Sequence, residues 1–252
     1  MKIKISFYEE FPTKENLQKL KLIDFPCDLF AACQSIKEYW SLKKQLELAH
    51  PKVTVQFWPV LKASEGYWMS PFSDFKALKR TISEITKEKN KMRIVWDVEL
   101  PRKKLLMLTN LNSFLKSKNL IDEFVRSSKQ EILITENPVF LSIVGELFGV
   151  YFSPKKYYAH KTVMYYSSLI PTKMLREGVV EDIKSLHAHL GKRLSVGLGT
   201  IAQGVEKRPK TLTSQELHSD LSTMKTVGIE EVIIFRLGGL NTNYTKVLRN
   251  FI

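Results

Sequence analysis

The chain has 252 residues, 44% hydrophobic and 26% charged, with 39 Lys+Arg against 26 Asp+Glu for a net charge of +13. That composition belongs to a folded globular protein and excludes a mostly disordered chain; 11 Gly and 10 Pro exclude collagen-like or linker-like sequence. The longest apolar stretch, residues 140–152, carries Glu146 and falls short of the roughly 18–20 residues that span a bilayer.

Taken in chain order, short β-branched or aromatic runs alternate with stretches of helical period. Residues 3–8 read as a strand. Thr13 then caps a helix to residue 23. The run 27–33 is a second strand, followed by a helix over 35–49 with Ile36, Tyr39, Trp40, Leu42, Leu46 and Leu48 near one stripe. Residues 53–58 form a third strand, and Ser73 caps a helix over 74–88. Strands follow at 92–97, 131–135, 162–167, 194–198 and 231–236. The helices between them fall at 111–125, 139–148 and 172–190. Thr213-Ser-Gln-Glu216 is a capping box that opens a helix to Val227, where Gly228 stops it. Asn241 caps a last helix.

Eight strand-then-helix units spaced by roughly 30 residues predict a single-domain (β/α)8 TIM barrel over residues 1–252. The rival, a doubly wound open sheet, favours a Gly-rich loop after the first strand, where this chain has Tyr8-Glu-Glu-Phe-Pro12. Two connections exceed the minimum: 59–72, with Glu65-Gly-Tyr-Trp68 inside it, and 149–161, with Lys155, Lys156, Tyr157, Tyr158 and His160. The first follows a strand, so it belongs to the face where barrel enzymes build their sites.

Residues at predicted strand ends are therefore the site candidates. They include Glu9 and Glu10, Trp58, Trp96-Asp97-Val98-Glu99, Glu136, Tyr166 and Arg236. The chain is short of acid overall, yet these ends are rich in it. Glycosidase chemistry needs two carboxyl groups, one protonated and one ionised. Asp97 and Glu99 lie two apart and share a strand face, and an ionised Asp97 would hold the Glu99 proton more tightly. Glu99 is thus the candidate acid and Asp97 its partner. Glu136 or Glu10 is the candidate base or nucleophile. The bland alternatives have Asp97 capping a turn and Glu99 pairing with Arg102 or a lysine.

Asp97-Val-Glu99 at the end of a fourth barrel strand resembles the Asp-x-Glu signature of chitinase-like and lysozyme-like barrel glycoside hydrolases. The resemblance implies that the Glu is the acid and the Asp supports it. It covers about eight residues. The two further Asp of the chitinase-like pattern are replaced here by Arg93 and Val95, so the resemblance does not carry over that pattern's substrate-assisted chemistry.

Trp58, Tyr67, Trp68 and Trp96 supply aromatic faces for stacking on sugar rings, with Glu9, Glu65, Tyr166 and Arg236 as further substrate contacts. A second reading follows from the glycines. Gly197, Gly199, Gly204, Gly238 and Gly239, with Arg236 or Lys207, suit a phosphate held on backbone amides, as in a barrel lyase, isomerase or phosphodiesterase. A third takes the +13 charge as the signal and makes the chain a non-catalytic protein for nucleic acid or an anionic membrane. Lys103-Lys104, Lys155-Lys156 and Lys207-Arg208-Pro-Lys210 are basic, yet scattered along the chain.

No cofactor is expected, although Glu10, Asp97, Glu99 and Glu136 would also suit Mg2+. His187 and His189, two apart on a helix, point to different faces, and His218 reads as structural. Cys27 and Cys33 read as core thiols. Together with an N-terminus lacking a long apolar stretch, they predict a reducing cytoplasmic setting.

Overall fold

The computed structural model describes residues 2–101, 104–137, 142–153, 156–205 and 210–252. Its eight strands are β1 (Lys4–Glu9), β2 (Cys27–Cys33), β3 (Val53–Pro59), β4 (Arg93–Asp97), β5 (Glu131–Glu136), β6 (His160–Tyr165), β7 (Leu194–Gly199) and β8 (Glu231–Phe235). They follow one another in sequence order as a closed barrel. The recorded pairings, β1 with β2 and β8, β3 with β4, β4 with β5, and β7 with β8, are all parallel. This is the (β/α)8 architecture that the alternation predicts.

The helices are α1 (Lys14–Leu17), α2 (Ile36–Ala49), α3 (Phe75–Lys87), α4 (Lys104–Thr109), α5 (Phe114–Ser127), α6 (Ser142–Leu147), α7 (Lys173–Leu190), α8 (Ser214–Val227) and α9 (Thr242–Arg249). Most match the expected ranges. Asp74, not Ser73, caps α3, accepting the Ala77 N–H at 2.8 Å. Ser73 is instead turned inward, where its hydroxyl donates to the Trp68 carbonyl at 2.7 Å. The first helix keeps α geometry for only four residues and continues to Leu22 as a 3-10 helix. α4 was not anticipated; its Leu-Leu-Met-Leu run carries no amphipathic period. Of the helix expected over 139–148, residues 139–141 lie outside the described residues.

By packing the chain divides into two compact units, Met1–Ala32 with Leu42–Val55 and Thr162–Ile252, and Cys33–Ser41 with Gln56–Lys161. In the first unit, β1 and β8 pair from Lys4 opposite Glu231 to Tyr8 opposite Phe235. Strands covered on both faces need continuous apolar runs, and β2 is buried at all seven positions. Cys27 and Cys33 lie there as free thiols, pushed up to about 12 chiefly by burial. The capping box on α8 forms as read, with Gly228 left-handed at its end. In the second unit, β4 and β5 pair from Arg93 opposite Glu131 to Asp97 opposite Thr135. α3 packs there through Ala77, Leu78, Thr81, Ile82 and Ile85, a helical stripe. Among the described residues no helix is long and apolar enough to cross a membrane.

Candidate functional site

The ends of β3 and β4 and the loop between β3 and α3 form one piece of the second unit. On β4, the Trp96 ring lies 4.8 Å from Phe124 of α5, which fixes that face as the helix side. Side chains alternate along a strand, so Asp97 occupies the opposite face. On β3 the Phe57 ring lies 5.0 Å from Tyr39 of α2, so Trp58 likewise points away from the helices. The Met69 N–H donates to the Asp97 carbonyl at 2.9 Å and holds the loop against the end of β4. Just before that tie, Tyr67 adopts φ 70, a left-handed conformation that non-glycine residues rarely hold. Such a backbone costs on the order of 1–3 kcal/mol and marks a place where surroundings dictate conformation. The Tyr67 and Trp68 rings meet edge to face at 5.4 Å.

Within this piece Asp97 is buried; β4 ends there, so half-buried Glu99 lies past the strand, and the shared strand face expected for the two acids is not formed. The expected aromatic platform is smaller than the sequence suggests. Trp96 belongs to the helix side and leaves it. Trp58 and Trp68 are nearly covered, while Tyr67 retains exposed surface. Glu65 is engaged within its own loop: Arg80 of α3 donates to both its oxygens at 3.3 and 3.1 Å and the Lys62 N–H donates to it. Those partners hold its carboxyl below the usual range despite some burial.

Glu136, the candidate second carboxylate, ends β5 with only 1% of its surface exposed. The Phe152 N–H donates to Oε1 at 2.7 Å, and Lys161 Nζ lies 2.6 Å from Oε2. Lys161 also donates to the Phe152 carbonyl and sits 3.9 Å above the Tyr151 ring. Burial pushes the Glu136 carboxyl up and the Lys161 ammonium down, each opposed by the other's charge. Lys161 escaped the sequence reading. It stands second in β6, in the polar start His160-Lys-Thr162, one residue before the strand expected from the sequence.

In the first unit, Glu9 ends β1 with no exposed surface. Its Oε1 accepts from the Phe11 N–H at 2.8 Å, Arg236 Nη1 at 2.9 Å and Asn16 Nδ2 at 3.3 Å; Oε2 accepts the Gly238 N–H at 2.6 Å. Arg236 also donates to the Gln203 carbonyl and lies over the Phe11 ring. Burial raises the Glu9 carboxyl, with Arg236 and these donors pulling it down. This corrects the phosphate expectation, since the Gly238 amide and Arg236 already hold an anion, the chain's own Glu9. A side chain at Gly238 would strike Arg236 and Asn16, and one at Gly239 the Ile201 carbonyl, so close packing explains these glycines. Gly199 likewise lies against Phe235, whereas Gly197 has ordinary room beside Met164. Glu10 is buried, and its Oε2 accepts the Val205 N–H at 2.7 Å next to Gly204. Tyr166 packs 5.8 Å from Phe235.

The basic pairs serve local roles where they are described. Lys156 pairs with Glu146, and Lys210 with Glu216 at 2.8 Å. Arg102, Lys103, Lys155, Lys207 and Arg208 lie outside the described residues. His218 packs on Phe251, as a structural histidine would. Among the described residues no three His, Cys, Asp or Glu side chains group as metal ligands would.

No protein-family model matches the sequence, and no curated protein is similar to it in sequence. Solved structures are similar in fold. The spore cortex-lytic enzyme SleL of Bacillus cereus matches with TM-score 0.60 and 13% identity over 100% of this chain and 75% of that one. A glycoside hydrolase family 18 N-acetylglucosaminidase from Paenibacillus barengoltzii matches with TM-score 0.54 and 11% identity, covering 99% and 100% of the two chains. A class V chitinase from Nicotiana tobaccum, in complex with NAG4, matches with TM-score 0.56 and 10% identity over 98% and 99%. At such identities the likeness is one of fold.

Proposed function

We propose that this chain is a carbohydrate-active hydrolase of the glycoside hydrolase type, working at the ends of β3 and β4 on glycans containing N-acetylglucosamine. In this reading Glu99 donates a proton to the glycosidic oxygen as the C–O bond breaks, and water then bonds to the anomeric carbon and returns a proton to the Glu99 carboxylate. Asp97 keeps that proton on Glu99 through like-charge repulsion until the transfer. Tyr67 offers a ring face to the sugar. One observation carries the reading most: Asp97 lies on the face of β4 away from the helices, beside a loop whose backbone is held left-handed at Tyr67. Fold similarity to an N-acetylglucosaminidase and a chitinase supports the substrate class. The reading gives neither Glu136 nor Glu9 the role of second carboxylate, because Lys161 and Arg236 already engage them.

The test is hydrolysis of N-acetylglucosamine oligomers by the wild type and by Glu99→Gln. The expected result is measurable turnover that falls by about 100-fold or more in the variant, with an unchanged melting temperature. No turnover by the wild type on any such oligomer, or full activity in Glu99→Gln, overturns the proposal.

A further inference from the structure

The first unit contains a cavity of about 620 Å3 between α7, α8 and the segment after β6. Its size falls within the range of small-molecule sites. Most charges around it are already paired. Lys210 meets Glu216 at 2.8 Å, Lys173 meets Glu177 at 3.7 Å, and Glu181 meets Lys184 at 2.5 Å. Two opposite charges are left over. Asp220 of α8 is 7% exposed, and among the described residues its one hydrogen bond comes from Ser167 Oγ, at 2.6 Å to Oδ2. Arg176 of α7 is half-buried and close enough to influence Asp220 electrostatically, yet it closes no ion pair among the described residues. Ser168 Oγ, also in the lining, is buried with no hydrogen-bond partner.

A buried polar group left unsatisfied is costly, and a cavity that holds one, Ser168 Oγ, beside an arginine and an aspartate that close no ion pair among the described residues gains when a ligand completes them. Ile170, Pro171, Val180 and Leu212 provide the apolar remainder of the wall. We infer that this cavity binds a small zwitterion on an apolar frame, a free amino acid or a short peptide. Its carboxylate meets Arg176, and its ammonium meets Asp220 and Ser168. An ammonium and a carboxylate on one ligand match the separated, unclosed pair better than a simple anion, which would leave Asp220 facing a like charge. The site is distinct from the residues proposed for glycan hydrolysis and does not depend on that reading.

The experiment is calorimetric titration of the full chain with leucine and with Leu-Leu, beside acetate, N-acetyl-leucine and leucinamide. The expected result is saturable binding of leucine or Leu-Leu, whichever fits, with no binding of the three compounds that lack one charge. Arg176→Gln and Asp220→Asn should each weaken binding about tenfold or more, the loss of one charged hydrogen bond, while melting temperatures show both variants folded. Binding of neither zwitterion, equal binding of acetate, or wild-type affinity in both folded variants would overturn the assignment.

Discussion

Two strand-terminal glutamates, one in each compact unit, look alike in sequence and are built differently. Glu9 ends β1 and meets an arginine; Glu136 ends β5 and meets a lysine. Glu9 accepts from four groups, two of them backbone amides, and its Arg236 has a second anchor on the Gln203 carbonyl. Among the described residues Glu136 has one backbone amide besides Lys161. Arginine stays charged under all relevant conditions, whereas a buried lysine gives up its proton more readily. The first pair is thus a fixed ionic joint shared among many donors. The second depends on a single cation. A buried carboxylate at the end of a barrel strand is therefore no sign of catalysis until its partners are known.

The largest expected effect separates these two. Lys161→Met leaves Glu136 buried beside a lone amide and should cost about 3–5 kcal/mol in chemical denaturation. Adding Glu136→Gln should recover most of that loss. Arg236→Gln should cost less, about 2 kcal/mol, because three donors still hold Glu9. Equal losses in the two single variants would erase the contrast, and a larger loss at Arg236 would reverse it.

A smaller effect concerns Asp220, a buried acid with no cation closed on it among the described residues. Burial raises its carboxyl from the ordinary 3.8 to about 6, against the pull of Ser167 and Arg176, with Glu216 adding to the rise. The folded protein thus binds this proton more tightly than the unfolded chain. The group's contribution to stability declines as pH rises from about 4 to about 6 and is flat above. Asp220→Asn should stabilise the ligand-free protein at pH 7 by roughly 1–2 kcal/mol, an advantage that fades toward pH 4. Denaturation curves at the two pH values check this. Unchanged stability at pH 7 would mean that Asp220 is as well satisfied as Glu9.

Much of the scaffold was legible in the sequence because its signals are local. Both ends of β2 follow from a run apolar but for Asp28, and the Thr213 capping box and Gly228 stop form as the sequence implies. The fold class followed from counting such units. Where local signals compete, the sequence leaves a residue's ambiguity, as between Ser73 and Asp74 at the start of α3. The short α4 has no period to detect. The site was less legible. Trp96 and Trp58 both stand near strand ends, and only the packing of Trp96 on Phe124, and of Phe57 (next to Trp58) on Tyr39, reveals which ring faces the helices. The Arg176–Asp220 cavity had no sequence signal, since its groups lie 44 residues apart on different helices.

The sequence by itself determined the alternation of eight strands with helices, the helix caps and the apolar strands, because these depend on neighbours within a few residues. Only the tertiary structure decided what each acid does. A carboxylate's role is set by the charges and amides around it, and those come from distant segments: Arg236 for Glu9, 227 residues away, and Lys161 for Glu136. Burial made those partners obligatory, since an unpaired charge inside the barrel wall would cost more than the fold has to spare.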